Sequence, residues 1–273
     1  MLEMCRFFFI FHHVLTLNEI AHILSKRTQK KDTPCLKNDR DDGPHNDGFG
    51  IALQKNHRWK VKKWLKEPEK DLYGMMKEIE ESKIVIIHLR HNCHLGKKCK
   101  ISTGKKSVEN THPFSYKDAV FAHNGSIVDF EKHKKHLRKF IADDLFRNIR
   151  GETDSEWIFF MFLTLLGKKE QQDMNQIHIL LEKWIQNIQS VCQEFTFNII
   201  FSNKEFSVIT RYIHYDKTKY SKKQYPNSLY YDKSNGFIVS SEPISTEHTL
   251  VPENTAIYVK HSTQYAYLQS INQ

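Results

Sequence analysis

The sequence has few cysteines and no long hydrophobic run. The five cysteines are an odd number at irregular spacing, which argues against a disulfide framework and favours a reducing compartment. The apolar run Phe7 to Phe11 is far too short for a membrane span and lacks the length of a signal-peptide core. Glu3 precedes this run, and His12 and His13 end it without a small-residue cleavage site. We therefore predict a cytoplasmic protein that makes no membrane contact.

The sequence also lacks an internal repeat and a linker that would separate two halves. Its 273 residues are enough for one large domain or two modest ones. Apolar residues make up 39% and aromatic residues 12%, so a sizeable core can be buried, which argues against a disordered chain. We predict a single domain over residues 4–265, with residues 1–3 as an upstream extension or propeptide.

The charge is unbalanced towards the positive sign. The formal net charge is +9 and the pI is about 9.1, which raises nucleic acid as a possible partner. The lysines, however, fall in scattered clusters that are short or interrupted by other residue types. That distribution is typical of a solvated surface, so the sequence does not favour a nucleic-acid partner.

Hydrophobic patterns predict strands, then helices, then strands. Residues 4–11 are aromatic and apolar with few breaks, the pattern of a strand buried on both faces. Other strand-like segments are Ile51 to Leu53 after a glycine-bearing turn, Ile84 to Leu89, Ala119 to His123 and five segments after residue 193. Helical patterns cover Leu72 to Ser82, Asp129 to Arg150, Trp157 to Leu166 and Asn175 to Val191. Thr153 and Glu156 form a capping-box pattern before the third helix. This order predicts a layered α/β architecture.

Four short motifs occur in an order that is more informative than any one of them alone. They are Met4-Cys5-Arg6, His88-Leu89-Arg90, Ala122-His123-Asn124-Gly125 and the segment Gly151 to Glu156. Further matching segments are DGFGIA, Asn110 to Phe114 (NTHPF), Thr210 to Tyr212 (TRY), Ser228 to Tyr231 (SLYY) and Ser241 to Pro243 (SEP). With these motifs the chain resembles the class II glutamine amidotransferase family, and most closely its branch of small stand-alone proteins that begin MCRF. The resemblance runs from Met4 to about residue 260. It implies an α+β N-terminal-nucleophile hydrolase fold, a four-layer αββα sandwich with two mainly antiparallel sheets.

The chemistry of amide hydrolysis points to Cys5 as the nucleophile. Such hydrolysis needs a nucleophile and a base that takes its proton. A cysteine at the chain start can use its own α-amino group, because an α-amine pKa of about 7.7–8.0 is close to working pH. Cys5 must then be residue one of the mature chain, and Met4 supplies an obvious start codon. The alternative is that Cys5 is a buried strand cysteine, the usual fate of a cysteine among aromatic residues.

The resemblance implies that Asn124 and Gly125 stabilise the tetrahedral intermediate. In the family, the asparagine of this motif supplies a side-chain amide and the glycine supplies a backbone N–H, both preset where the oxyanion forms. The alternative interpretation of Asn-Gly after a strand is a tight turn.

Two charged residues suit the amino-acid end of a γ-glutamyl substrate. Arg90 can form a bidentate pair with the substrate carboxylate, as its family counterpart does, and Asp154 can pair with the ammonium. The alternatives are a surface salt bridge for Arg90 and a helix-dipole interaction for Asp154. Asp47 precedes a glycine turn that we expect near the start of the first strand. His112 either lines the substrate pocket or supports the strand that follows it.

The sequence departs from the family pattern after Arg90. Many relatives have a small residue and then threonine or serine near the third position, where this chain has Cys93, and the insert that follows is longer than expected. The residues that could bind zinc there are His88, His91, Cys93, His94 and Cys99. Their spacing matches no standard zinc finger, so we predict no metal and no cofactor.

Three functions remain open at this stage. The first is hydrolysis of glutamine or a γ-glutamyl compound through a thioester on Cys5. The second is a glutaminase subunit that delivers ammonia to a synthetase on a separate chain, which would require a partner protein. The third is a non-catalytic basic binding protein on the same fold. The non-catalytic alternative is disfavoured because all five residues with expected chemical roles are present, namely Cys5, Arg90, Asn124, Gly125 and Asp154.

Overall fold

The computed structural model describes residues 5–12, 47–65, 75, 77–90, 104–167, 173–215, 228–243 and 247–272. The strands within these ranges are β1 (Arg6–Phe11), β2 (Gly48–Lys55), β3 (Arg58–Trp64), β4 (Ile84–Arg90), β5 (Phe114–Tyr116), β6 (Ala119–Ile127), β7 (Phe195–Ser202), β8 (Phe206–His214), β9 (Tyr230–Asp232), β10 (Phe237–Ser240), β11 (Thr249–Leu250), β12 (Thr255–Lys260) and β13 (Tyr265–Ser270). The helices are α1 (Phe130–Leu137), α2 (Asp143–Phe146), α3 (Asp154–Leu166) and α4 (Met174–Gln189). Residues 75 and 77–80 are also helical. No helix in this part of the chain is long and apolar enough to cross a membrane.

The strands form two sheets, and every described pair of neighbouring strands is antiparallel. The seven-stranded sheet has the order β11-β9-β10-β1-β4-β2-β3, and the six-stranded sheet has the order β13-β12-β8-β7-β6-β5. The predicted pair of mainly antiparallel sheets is therefore confirmed.

Strand β1 lies in the interior of the seven-stranded sheet, between β10 and β4. All six of its residues are buried, as predicted for a strand covered on both faces. The three odd-numbered phenylalanines pack between the two sheets, whereas Phe8 and Ile10 pack on the opposite face with Met75 and Ile79. Burying each phenylalanine stabilises the fold by about 1.5–3 kcal/mol. This packing fixes the strand that carries Cys5 at its start.

Helices cover the outer face of the six-stranded sheet. Helix α3 is buried over most of its length, and the Trp184 ring of α4 stacks on Phe197 of β7 with ring centroids 5.0 Å apart. Trp184 Nε1 also donates to the Ile158 carbonyl at 3.1 Å, which joins α4 to α3. With the helical residues 75 and 77–80 on the far side, the layers are helix, sheet, sheet and helix. The predicted four-layer αββα sandwich is confirmed.

Strand β3 is absent from the predicted elements. Its sequence RWKVKKW carries four basic residues, which hide the strand pattern. The strand forms an edge of its sheet, where lysines are common because they discourage pairing with another chain. Lys60 and Lys62 lie 2.6 Å and 3.7 Å from the Glu78 carboxylate, which neutralises part of this charge.

The long helix predicted from Asp129 to Arg150 is wrong, because the segment divides into α1, a 3₁₀ turn and α2. The chain becomes extended at Ile141 (φ −113°, ψ 122°) and stays extended at Ala142. Ile141 is buried in the helix-side core, and the Ala142 N–H donates to Thr164 Oγ1 at 3.1 Å. Both contacts come from tertiary packing, so helical periodicity could not reveal the break.

Candidate active site

Cys5 lies immediately before β1, and its thiol is half-buried and not part of a disulfide. Arg6 pairs with Leu89 in β4, so the register brings Cys5 beside Arg90. Burial lowers the pKa of the Arg90 guanidinium, and the nearby Cys5 and Asp47 oppose this shift. Cys5, Arg90 and Asp47 therefore share one electrostatic environment at the end of the seven-stranded sheet.

Arg90 is held in part by carbonyl groups of the backbone. It is buried, and its guanidinium donates to the carbonyls of Asp47 at 3.4 Å, Gly104 at 3.2 Å and Lys105 at 3.3 Å. These dipoles orient the guanidinium but do not neutralise its charge. A guanidinium can form a bidentate pair with a carboxylate, so a substrate carboxylate would be a favourable partner here.

Asp47 is placed beside Arg90 by the first residues of β2. The Asp47 N–H donates to the Arg90 carbonyl at 3.3 Å, and Gly48 pairs with Arg90 in the register. Gly48 has φ 154°, and a Cβ there would lie 2.7 Å from Thr111 Oγ1. Only glycine accommodates both constraints, so this turn follows the predicted use of glycine for close backbone approach.

Asn124 and Gly125 belong to β6, which continues to Ile127 and pairs with β7 through both residues. The alternative of a tight turn is therefore wrong, and the strand is longer than predicted because it is paired along its whole length. Asn124 is buried, and its Nδ2 donates to Ser241 Oγ at 3.2 Å. A Cβ on Gly125 would lie 2.0 Å from the Thr196 carbonyl oxygen, so only glycine fits.

Three histidines lie next to Asn124 in the space behind the site. The His88 ring contacts the His123 carbonyl oxygen through Nε2 at 3.1 Å, which braces β4 against β6. His112 stacks on His88 with ring centroids 4.1 Å apart. Burial, reinforced by the neighbouring cationic groups, lowers the pKa of His112 well below its usual range, so the ring stays neutral. His112 thus backs the Arg90 strand, and neither ring nitrogen has a hydrogen-bond partner within the described residues.

Asp154 occupies the first turn of α3 and is 4% exposed. Its carboxylate accepts from the Ile127 N–H and the Ser155 N–H, each at 2.7 Å. Burial raises the pKa of this carboxyl, and the nearby His123 and the hydrogen bonds counteract the rise. These contacts tie Asp154 to β6 and to its own helix, close to the Asn124-Gly125 segment.

The start of α3 is capped by the predicted Thr153. Thr153 Oγ1 accepts from the Glu156 N–H at 3.3 Å. The Glu156 carboxylate reaches back to the N–H groups of Arg150 at 3.1 Å and Gly151 at 2.6 Å. The cap therefore spans residues 150–156, and it fixes the helix end that carries Asp154.

Sequence reasoning assigned no role to Ser241 and Glu242, although the SEP motif contains both. Ser241 Oγ accepts from the Phe7 N–H at 3.0 Å as well as from Asn124. The Glu242 carboxylate lies 2.6 Å from Arg6 Nε, and both side chains are about one-tenth exposed. These two residues hold the chain directly after Cys5, and only the motif itself could have signalled them.

Of the residues considered as zinc ligands, only His88 lies within the described residues. His88 packs between the sheets as set out above, whereas His91, Cys93, His94 and Cys99 lie outside the described residues. Within the described ranges, no group of three or more histidine, cysteine, aspartate or glutamate side chains could hold a metal ion.

A comparison with protein-family models identifies the family of this chain. The family model described as glutamine amidotransferases class-II matches residues 31–226. The chain belongs to that family. The matched span begins after Cys5, so the position of Cys5 rests on the geometry above.

Named relatives and solved structures agree with this family. The chain is 25% identical to the probable glutamine amidotransferase DUG3 of Saccharomyces cerevisiae, over 84% of this chain and 73% of that protein. It is 28% identical to a putative glutamine amidotransferase of Haemophilus influenzae, over 60% of this chain and 51% of that protein. A glutamine aminotransferase class-II domain protein from Silicibacter pomeroyi shares the fold with a TM-score of 0.62 and 17% identity, over 98% of this chain and 100% of that chain.

Proposed function

We propose that this chain hydrolyses the γ-glutamyl amide bond of glutamine or a γ-glutamyl compound, with Cys5 as nucleophile. One observation carries the proposal. Ser241 joins the Asn124 amide to the Phe7 backbone at 3.2 Å and 3.0 Å, two residues from Cys5. This link between Asn124 and β1 supports the Asn124 amide as the donor to the oxyanion, with Arg90 on the neighbouring strand.

The first half of the reaction forms a thioester. With Cys5 at the chain start, its α-amine takes the thiol proton, and the sulfur attacks the γ-carbonyl carbon of the substrate. The carbonyl electrons move to oxygen, and the oxyanion accepts hydrogen bonds from Asn124 Nδ2 and the Gly125 N–H. Each such donor lowers the barrier by about 2.7–4 kcal/mol.

The second half releases the products. The C–N bond breaks as the leaving nitrogen takes the proton back from the α-ammonium, which gives the glutamyl thioester. Water then attacks the thioester carbon while the same α-amine accepts a proton from the water. The C–S bond then breaks as the sulfur takes this proton from the α-ammonium, which releases the glutamyl carboxyl group and restores the Cys5 thiol and the free α-amine.

Substrate selection would depend on two charged residues, Arg90 beside the nucleophile and Asp154 at the start of α3. The Arg90 guanidinium would bind the α-carboxylate, because its planar fork of N–H donors matches the two carboxylate oxygens. The Asp154 carboxylate would pair with the α-ammonium, because a desolvated carboxylate gains most from a cationic partner. The two together select the zwitterionic end of a γ-glutamyl group over a simple amide.

A substrate screen tests the proposal. The purified chain is incubated with glutamine and with a panel of γ-glutamyl peptides and amides, and glutamate and the released amine are measured in each. We expect glutamate and amine in equal amounts from at least one compound. If no compound yields glutamate, the proposed hydrolysis is wrong. The compound with the largest kcat/KM identifies the leaving group.

The variant Arg90→Lys is expected to raise KM by about tenfold or more while lowering kcat less, because a charge-assisted pair contributes to ground-state binding. The measurement is steady-state kinetics on the best compound from the screen. The matching α-carboxamide compound, which lacks the carboxylate, is the control. Its KM should be the same for both proteins. An equal KM increase on the α-carboxamide would contradict a carboxylate role for Arg90.

A further inference from the structure

Ser241 links the end of β10 to the start of β1. It follows β10 directly and is buried. Its backbone N–H donates to the Phe7 carbonyl at 3.1 Å, and its Oγ accepts from the Phe7 N–H at 3.0 Å. Both polar groups of the Phe7 backbone are therefore held by one residue, two positions from Cys5.

The same hydroxyl oxygen reaches a third strand. Ser241 Oγ accepts from Asn124 Nδ2 of β6 at 3.2 Å. A hydroxyl oxygen has two acceptor lone pairs, and the Phe7 N–H and the Asn124 amide use both. An amide NH₂ is planar with two hydrogens, so fixing one hydrogen fixes the direction of the other. Ser241 thereby constrains the plane of the Asn124 amide and ties it to Phe7 of β1.

We propose that Ser241 is a positioning residue, whose hydroxyl sets the place of the Asn124 amide relative to Cys5. This inference rests on the proposed function, in which that amide binds the oxyanion. Oxyanion donors act within about 2.7–3.1 Å of the charge, and a displacement of about 1 Å can cost roughly 10²-fold in rate. The nucleophile and the donor lie on different sheets, so their separation needs a direct link of this kind.

The segment around Ser241 is itself held rigidly. The Ser228 hydroxyl donates to the Ser241 carbonyl at 2.9 Å. Glu242 lies 2.6 Å from Arg6 in a nearly buried ion pair. A positioning group must be more rigid than the group that it orients. Ser241 meets this condition through bonds on both sides.

The test compares two buried serines. In Ser241→Ala the hydroxyl that joins β1 to Asn124 is lost. Ser202→Ala is the matched control, because Ser202 is also buried and its Oγ forms a hydrogen bond with Ser207 Oγ at 2.7 Å. Ser202 ends β7, away from the β7 residues that pair with Asn124 and Gly125. Each variant loses one buried hydroxyl, but only Ser241 lies beside the nucleophile.

We expect Ser241→Ala to lower kcat for glutamate release by at least about tenfold, with KM changed less than about threefold. Alkylation of Cys5 by iodoacetamide should keep its rate in both variants, because that reaction needs the thiol and not the oxyanion donor. Ser202→Ala should keep kcat. A kcat near the wild-type value in Ser241→Ala would overturn the inference. So would a loss confined to KM, or an equal loss in Ser202→Ala.

A second measurement separates this inference from the proposed function. In ¹⁵N-labelled protein, the Asn124 side-chain amide hydrogens should exchange with solvent at least about tenfold faster in Ser241→Ala than in wild type or Ser202→Ala, because a hydrogen bond protects them. Unchanged exchange would overturn the role of Ser241 even if the enzyme is active. A wild-type chain that releases no glutamate would overturn the function, while faster exchange in the variant would still support the link.

Discussion

Replacing Cys5 with alanine is expected to abolish glutamate release, with kcat reduced by at least about 10³-fold. Cys5 is the thiol placed beside Arg90 at the start of β1, and Ser241 ties the Asn124 amide to Phe7 of the same strand. Alanine keeps the size of the side chain close to that of cysteine, so β1 and its partners should pack as before. The measurement is glutamate release under single-turnover and steady-state conditions, with the substrate identified by the screen.

The control for this variant is Cys192→Ala. Cys192 is fully buried in the helix-side core, and burial raises the pKa of its thiol to about 12, so it remains a protonated, inert group. Removing its sulfur should cost about 1 kcal/mol of stability and leave kcat unchanged. Full activity in Cys5→Ala would contradict the assignment of Cys5 as the nucleophile. Loss of activity in both variants would point to folding instead of chemistry.

The position of the chain start is expected to have the second-largest effect. A chain that begins at Cys5 should be active, whereas one that keeps Met4 should lose at least about 10²-fold in kcat, the usual contribution of a general base. The reason is that residues before Cys5 convert its α-amine into an amide, which cannot accept the thiol proton. Mass spectrometry of the N-terminus and kinetics on the same sample measure this directly.

A glycine inserted before Cys5 by expression with a cleavable leader serves as the comparison. That chain has a free α-amine, but the amine lies one residue away from the thiol. We expect it to be as inactive as the chain that keeps Met4, while iodoacetamide still alkylates Cys5 in both. Equal kcat in a chain shown by mass to retain Met4 would mean that another group is the base, and would leave Cys5 as the nucleophile.

The sequence predicted the sheets better than the helices. Strands β1 and β4 are buried on both faces, and their long apolar and β-branched runs reveal this without knowledge of the neighbouring strands. The break between α1 and α2 depends on Ile141 entering a core built by other elements. Strand β3 depends on pairing with β2 and on the Glu78 carboxylate, which neutralises part of its charge. Periodicity measures one segment at a time, so it misses features that two segments create together.

For the candidate site, too, the sequence identified single residues but not the contacts between segments. The residues proposed to carry chemistry, Cys5, Arg90, Asn124 and Asp154, could be named from short motifs that resemble those of a known family. Their alternatives could not be decided in the same way. Whether Asn124 and Gly125 form a turn or a strand depends on pairing with β7, and only the structure shows that pairing.

The sequence by itself determined the class of fold and the nucleophile candidate through the resemblance of its motifs to a known family. It determined the charges available to a substrate through residue type. The tertiary structure alone decided how these groups are brought together. Ser241 contacts residues 234 and 117 positions away in the chain. No local pattern encodes such contacts, because they depend on how distant segments pack together when the chain folds.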